Sequence, residues 1–152
     1  MIDLHTWNTS NGRKVSIALE ELELPYRVFP VDITHGEQEA PAFVAISPNG
    51  KIPAIVDHDA RNRTLMESGA ILLYLTEKTG RLMPKDEDRR GRTVEWLMWQ
   101  MGGVGPMLGQ HLHFTHYQPD ASAYARGRYA DEARRLYGVL DSRLADHEYV
   151  AD

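Results

Sequence analysis

The hydrophobic and polar positions in the first half of the chain predict strands and helices in alternation. Residues 2–6 alternate as a strand does, and apolar residues at 15, 18, 19 and 22 follow with the spacing of an amphipathic helix. The pattern predicts further strands and helices over residues 26–33, 42–46, 52–57, 64–66 and 68–80. Gly80 ends the last of these helices. The element order is therefore βαβαββα.

This order predicts a thioredoxin-like α/β domain with a four-stranded mixed sheet. The first βαβ unit should be parallel and right-handed, and the last two strands are close enough in sequence for a hairpin. Pro30 has no N–H to donate to a ladder, so the strand that contains it should lie at a sheet edge.

The pattern changes after Gly80. A polar linker contains Pro84, and beyond it we find helical periodicity without a strand signal. The two helical stripes are formed by Val94, Leu97, Met98 and Met101, and by Tyr129, Ala133, Leu136, Leu140 and Leu144. The sequence therefore predicts an α/β domain over residues 1–81 and an all-α domain over residues 87–152.

Composition narrows the class of protein. The net charge of −5 and the pI of about 5.8 argue against a nucleic-acid-binding surface. No apolar run approaches the roughly 18 residues of a membrane span, and no signal peptide follows Met1. We therefore expect a cytoplasmic protein with no nucleic-acid or membrane partner.

The chain contains no cysteine, which excludes disulfides, thiolate metal sites and a cysteine nucleophile. If the protein performs thiol chemistry, its ligand must supply the thiol. His111, His113 and His116 are close in sequence, but only the last two share a helical face, and no carboxylate nearby completes a ligand set. We therefore expect no metal.

Two predicted helix starts carry polar residues that suit anions. Thr9, Ser10 and Asn11 begin the first helix, and Glu67 and Ser68 begin the third. The N–H groups of a helix start attract a carboxylate or thiolate, and Glu67 can bind an ammonium group. Ordinary helix capping, which is what such residues usually do, also explains them.

The loop before the third strand offers a third candidate. The main chain of Ile52, just before Pro53, could pair with an extended peptide, and an X-Pro bond here could be cis. Gln38 and Lys51 lie in loops from which they could reach a distant carboxylate, although an ordinary turn explains the segment too. Together, these features suit an extended ligand with a carboxylate at each end and one amine, as in glutathione.

Two motifs resemble signatures of the glutathione transferase family. Residues 46–55 read ISPNGKIPAI, which is similar to NPxGKVPxL, and residues 67–75 read ESGAILLYL, which is similar to ESxAIxxYL. Thr9, Asn11 and the segment WLMWQMGGVGPMLGQ at 96–110 resemble the bacterial nu class, and also the related fungal nitrogen-regulator branch.

The resemblance implies a role for each matching residue. Thr9 and Asn11 correspond to the catalytic residues beside the glutathione sulfur. The residues that it implies for glutathione binding are Gln38 and Lys51 at the glycyl end, Ile52 and the cis-proline Pro53 at the cysteinyl part, Glu67 and Ser68 at the γ-glutamyl end, and Arg128.

The nu class implies a glutathione-dependent disulfide reductase that uses glutathione as bound co-substrate and forms a homodimer. The partners would be glutathione or glutathione disulfide and a small disulfide. Two alternatives stay open: a transferase that conjugates glutathione to an electrophile, and a non-enzymatic glutathione-binding or partner-binding module. Members of the family continue through further helices, so the resemblance also implies a truncated helical domain.

Overall fold

A four-stranded mixed sheet organises the first half of the chain in the computed structural model, which describes residues 1–151. The described residues divide into two units between Met83 and Pro84. The elements of the first unit are β1 (Ile2–Thr6), α1 (Ser10–Glu21), β2 (Tyr26–Pro30), α2 (Pro41–Val44), β3 (Ala54–Asp57), β4 (Arg63–Met66) and α3 (Ser68–Thr79). The βαβαββα order and the predicted fold class are confirmed.

The sheet has the strand order β2-β1-β3-β4. β1 runs parallel to β2, with Ile2 opposite Tyr26, and antiparallel to β3, with Ile2 opposite Asp57. β3 and β4 form the predicted antiparallel hairpin. β2 is an edge strand, as Pro30 predicts, because a residue without an N–H is tolerated where no outer neighbour needs it.

Two hydrophobic clusters hold the sheet in place. The larger one lies where α1 and α3 pack on one face, because these helices turn their apolar stripes toward the strands. Its buried members are Ile2, Leu4, Val15, Ala18, Leu19, Leu22, Ile55, Ile71 and Leu75. The smaller cluster contains Val31, Phe43 of α2 and Ala54. Together they hold β1 and β3 against the helices and loops that carry most of the candidate site residues.

Several predicted boundaries differ from the structure. β2 ends at Pro30 rather than at residue 33, because the Asp32 carboxylate accepts hydrogen bonds from Thr34 and turns the chain. β3 begins at Ala54 rather than at residue 52, and α2 covers Pro41–Val44 rather than 42–46. β4 begins one residue earlier than predicted, at Arg63.

The second unit consists of helices. They are α4 (Glu87–Trp99), α5 (Gly105–Leu112) and α6 (Ala123–Asp146), with π-helical turns over Gln100–Val104 and His113–Tyr117. Ala133 and Leu136 of the predicted α6 stripe are buried, whereas Leu144 is exposed. Within residues 1–151, none of the helices combines the length and the apolar character that crossing a membrane requires.

Candidate functional site

The start of α1 is held by a side-chain cap. Thr9 is the N-cap residue, and its Oγ1 accepts a hydrogen bond from the Gly12 N–H at 3.1 Å. A hydroxyl has one donor as well as acceptor capacity, so the capping bond leaves the Thr9 hydroxyl proton able to donate to an anion. The capping and anion-binding interpretations of Thr9 are therefore compatible.

Gly12 allows α1 to begin very close to β1. A Cβ atom on Gly12 would lie 2.3 Å from Thr6 Oγ1 and 2.5 Å from the Trp7 carbonyl oxygen. These distances are shorter than van der Waals contact, so only glycine fits without movement of the chain. The close approach sets the position of Thr9 and Asn11 relative to the end of β1.

Asn11 is anchored by a lysine in the next turn of α1. Lys14 Nζ donates a hydrogen bond to Asn11 Oδ1 at 2.9 Å. Burial lowers the pKa of Lys14, and the opposing attraction of the Glu67 carboxylate raises it. The Lys14 ammonium thus interacts with residues at the starts of both α1 and α3.

The loop before β3 is shaped by Ser47. Its side chain is fully buried, and its Oγ donates to the Lys51 carbonyl at 2.9 Å, while the Gly50 N–H bonds to the Ser47 carbonyl. Gly50 has a φ of 61°, in the left-handed region that favours glycine. This turn presents Lys51 and Ile52 on the same side.

Ile52 lies beyond the paired part of the sheet. The ladder between β1 and β3 ends at the pair His5–Ala54. The peptide bond between Ile52 and Pro53 is cis, and Pro53 is buried beneath the loop. An extended peptide lying beside Ile52 could therefore hydrogen-bond with its main chain as an added strand does.

Glu67 marks the start of α3. The structure makes Glu67 the N-cap residue and Ser68 the first helical residue. Glu67 has a φ of 69°, uncommon for a residue with a side chain, and its Oε1 accepts from Asn49 Nδ2 at 3.3 Å. Ser68 is buried. Asn49 therefore connects the loop before β3 to the start of α3.

These elements enclose a cleft of about 330 Å³ in the first unit. Its lining residues are Thr9, Asn11, Ile33, Gln38, Gly50, Lys51 and Ile52. Gln38 Oε1 is buried and has no hydrogen-bond partner among the described residues. A buried polar atom without a protein partner is costly, so it indicates where a ligand or water would bind. Hydroxyl, amide and ammonium groups here suit an anionic, extended ligand.

Five of the nine predicted site residues line this cleft. Pro53 is buried next to Ile52 and does not line the cleft. Glu67 and Ser68 lie at the start of α3, which is joined to the loop before β3 through Asn49. Arg128 is exposed on α6 in the second unit, beside a separate groove of about 560 Å³ that also contains Tyr124 and Asp131.

Sequence reasoning did not identify Ile33, Gly50 or Lys14 as site residues. The pattern predicts a strand that includes Ile33 and a turn that includes Gly50. The spacing of Lys14 from Asn11, i to i+3 on a helix, is the signal that could have identified it. Among residues 1–151, no three His, Asp or Glu side chains converge in a way that suits a metal ion.

Comparison with known proteins finds relatives along nearly the whole chain. Residues 10–78 match the family model described as the glutathione S-transferase N-terminal domain. The disulfide-bond oxidoreductase YfcG of Escherichia coli is 50% identical over 99% of this chain and 72% of its own length. The protein URE2 of Meyerozyma guilliermondii is 44% identical over 90% of this chain, which spans less than half (47%) of that relative.

A solved structure is similar over the same range. The glutathione transferase from Pseudomonas putida, crystallised with one glutathione disulfide bound per subunit, has a TM-score of 0.94 and 42% identity. The match covers 99% of this chain and 67% of that one. With a relative at 50% identity aligned over nearly the whole chain, and the fold and motifs in agreement, the chain belongs to the glutathione transferase family.

Proposed function

We propose that this protein is an enzyme, a glutathione-dependent disulfide reductase that binds glutathione as co-substrate and holds it as its thiolate. The observation that carries the proposal is the cleft that joins Thr9 and Asn11, at the start of α1, to Lys51 and Ile52. Since the chain has no cysteine, the attacking sulfur must belong to the ligand. The protein then contributes position and electrostatic stabilisation.

Three features lower the pKa of a thiol bound beside α1. The helix start carries a partial positive charge, the Thr9 hydroxyl can donate, and the Asn11 amide can donate through its Nδ2. The Thr9 cap and the Asn11–Lys14 bond both use oxygen acceptors, which leaves the donors of the two side chains available. Thiolate is the reactive form, so this stabilisation raises the reactive fraction of the thiol at neutral pH.

The reaction proceeds through two thiol–disulfide exchanges. The glutathione thiolate attacks one sulfur of the substrate disulfide, forms a mixed disulfide, and releases the other sulfur as a thiolate that takes up a proton. A second glutathione thiolate attacks the glutathione sulfur of that mixed disulfide. Glutathione disulfide forms, and the second substrate sulfur leaves as a thiol. Two glutathione molecules are oxidised for each disulfide reduced.

The remaining predicted residues would bind the rest of glutathione. Gln38 and Lys51 would bind the glycyl carboxylate, and Ile52, positioned by Pro53, would pair with the cysteinyl main chain. Glu67 would bind the γ-glutamyl ammonium, and Ser68 its carboxylate, at the start of α3. The site would thus belong to the α/β domain over 1–81.

Arg128, in the all-α domain over 87–152, enters the proposal through its resemblance to a glutathione-binding arginine of the family. Its test is separate from that of the cleft residues. Replacement by Lys should weaken glutathione binding less than replacement by Ala, because lysine keeps the charge but loses the bidentate geometry.

The relatives support a disulfide substrate. YfcG is named a disulfide-bond oxidoreductase, and the Pseudomonas putida protein binds glutathione disulfide. A reductase of this kind needs reduced glutathione, which is abundant in the cytosol, so we place the protein there. We also expect a two-fold homodimer, which light scattering at micromolar concentration would test.

The first experiment measures glutathione-dependent reduction of bis(2-hydroxyethyl) disulfide, coupled through glutathione reductase to NADPH consumption. We expect turnover well above the uncatalysed rate. An activated aryl chloride is assayed in parallel. Turnover of the aryl chloride alone would favour the conjugating transferase, and glutathione binding without turnover of either substrate would favour a binding module.

Substitutions of Thr9 then separate capping from catalysis. Thr9→Ser keeps the cap and the hydroxyl donor, so it should stay active. Thr9→Asp also caps a helix but places a carboxylate beside the thiolate, so kcat/KM should fall. The loss of one hydrogen bond to a charged group costs about 1.5–3 kcal/mol, so kcat/KM should fall by about 10- to 100-fold. Equal activity of the two variants would contradict the role of Thr9.

Asn11→Ala tests the second donor. We expect a similar loss of kcat/KM with glutathione binding retained, since the main binding contacts lie along the rest of the ligand. The matched control is Asn62→Ala, in the turn before β4, where the Asn62 side chain contacts His58 rather than the cleft. Unchanged turnover in Asn11→Ala would remove Asn11 from the mechanism.

A further inference from the structure

Asn11 has a fixed amide orientation because of Lys14. An asparagine side chain has an acceptor oxygen on one side and a donor nitrogen on the other, and the two are easily interchanged by rotation. A lysine ammonium has three donors and no acceptor. The contact of 2.9 Å between Lys14 Nζ and Asn11 is therefore favourable only when Oδ1 faces the lysine. The Nδ2 donor is then the group left for the cleft that Asn11 lines.

Lys14 differs from an ordinary surface lysine. Its side chain is partly buried on α1, whereas Lys85 in the segment before α4 is exposed. Burying an ammonium disfavours its charged form unless partners compensate. The compensation here comes from the Asn11 oxygen and from the Glu67 carboxylate, which attracts Lys14 from the start of α3.

We propose that Lys14 is a positioning residue for the thiolate, which holds the Asn11 amide with its donor toward the glutathione sulfur. This inference rests on the proposed function. Without Lys14, the amide of Asn11 can rotate by about 180° and present its oxygen, which repels a thiolate. Lys14 also contributes a positive charge in the same turn of α1, which favours the thiolate further.

The electrostatic attraction between Lys14 and Glu67 has a second consequence. Glu67 is the residue we expect to bind the γ-glutamyl ammonium, so one lysine interacts with residues at both ends of the γ-glutamyl-cysteinyl part of the ligand. Loss of Lys14 should therefore change the ionisation of the bound thiol more than it changes the affinity for glutathione, because Glu67 keeps its bond from Asn49.

The test compares Lys14→Met, Lys14→Arg and the control Lys85→Met, which changes the net charge equally at an exposed position. The first readout is the pH profile of kcat/KM for bis(2-hydroxyethyl) disulfide. The second is the ultraviolet titration of the thiolate in the complex with glutathione. Since the protein has no cysteine, glutathione is the source of that thiolate signal.

We expect Lys14→Met to shift both titrations toward higher pH, with kcat/KM reduced about tenfold below the midpoint, the equivalent of about one pH unit. Lys14→Arg should recover most of the loss, since arginine also donates to Oδ1 and stays charged. Adding Lys14→Met to Asn11→Ala should give a much smaller further shift, because the group being positioned is already absent.

Superimposable titrations for Lys14→Met, Lys85→Met and the wild type would overturn the inference. So would an activity loss in Lys14→Met that is the same at every pH, since this indicates a structural role. If Lys14→Met does not fold, Lys14→Leu, which also removes both the donor and the charge, gives the same comparison. If the wild type binds glutathione without turnover, the proposed function fails, while the thiol titration still decides the role of Lys14.

Discussion

Lys78, near the end of α3, donates a 2.8 Å hydrogen bond to the fully buried carboxylate of Asp57 in β3. Tyr74 donates to the same oxygen at 2.6 Å, and the Asp59 N–H donates to the other. Burial raises the pKa of Asp57, but these hydrogen bonds outweigh it, so the pKa lies below its ordinary value. The network attaches α3, and with it Glu67, to the centre of the sheet.

Replacing Asp57 should destabilise the first unit. Asp57→Asn leaves Lys78 without its carboxylate, and since Lys78 is one-quarter exposed it can partly reach water. We expect a loss of about 2–3 kcal/mol in the free energy of unfolding. Urea unfolding of Asp57→Asn, Lys78→Met and the double variant measures the coupling, and additive losses would show that the pair does not interact.

The Asp3–His58 pair predicts a change of stability with pH. The hydrogen bond to the Asp3 carboxylate at 2.9 Å raises the pKa of His58 above its ordinary 6.5. The stabilisation is therefore complete below pH 6.5 and is lost as the pH rises through the folded-state pKa. In urea titrations between about pH 6 and pH 9, the wild type should lose stability where His58→Gln does not.

The control for this experiment is His116→Gln, which removes an exposed histidine from the second unit. It should keep the wild-type dependence on pH. A slope that persists in His58→Gln would assign the titration to another group.

A side chain at position 12 should disturb the start of α1 sterically. In Gly12→Ala the methyl group meets the Trp7 carbonyl, a main-chain atom that cannot rotate away, so the first turn of α1 must shift. Overpacking of this kind costs about 1–3 kcal/mol. Glutathione affinity should fall as well, because Thr9 and Asn11 move with the turn. Calorimetric titration with glutathione measures this second effect.

Gly91→Ala is the matched control. Gly91 lies in α4, and a Cβ there meets nothing within 4 Å. Alanine is the better helix former, so this variant should be more stable by about 0.5–1 kcal/mol. Equal effects of the two substitutions would contradict the steric account of Gly12.

The hydrogen bond from the Ser47 hydroxyl to the Lys51 carbonyl links the shape of the loop before β3 to ligand binding. Ser47→Ala removes the hydrogen bond to the Lys51 carbonyl and leaves that acceptor without its buried donor, at a cost of about 1–3 kcal/mol. Lys51 and Ile52 then lose their fixed position, so KM for glutathione should rise more than kcat falls. Ser142→Ala, at an exposed position on α6, should change neither constant.

Local sequence determined most of the secondary structure. Apolar residues at helical spacing placed α1 and α3, Gly80 ended α3 with a left-handed residue, and Pro30 assigned its strand to a sheet edge. These signals depend on neighbours within a few positions, so they can be identified without tertiary structure. The predicted end of β2 was wrong because the Asp32 carboxylate turns the chain, and the predicted start of β3 was wrong because its ladder with β1 ends at Ala54.

The site was predicted only in part, because only some of its signals are local in sequence. Helix starts and an X-Pro segment are local, and together with the resemblance to the glutathione transferase family they predicted the cleft residues Thr9, Asn11, Gln38, Lys51 and Ile52. The spacing of Lys14 from Asn11 is also local, but the interactions of Lys14 and Asn49 with α3 could not be identified in this way. Each depends on a side chain from an element distant in sequence, namely Glu67 at the start of α3.

The sequence by itself determined the element order and the absence of a protein thiol, and it predicted the ligand class. The tertiary structure decided which polar groups meet: Asp57 with Lys78, Ser47 with the Lys51 carbonyl, and Asn49 with Glu67. The physical reason is that charge and hydrogen-bonding capacity belong to each residue type. Their effect depends on burial and on partners within about 3 Å, which only the folded chain brings together.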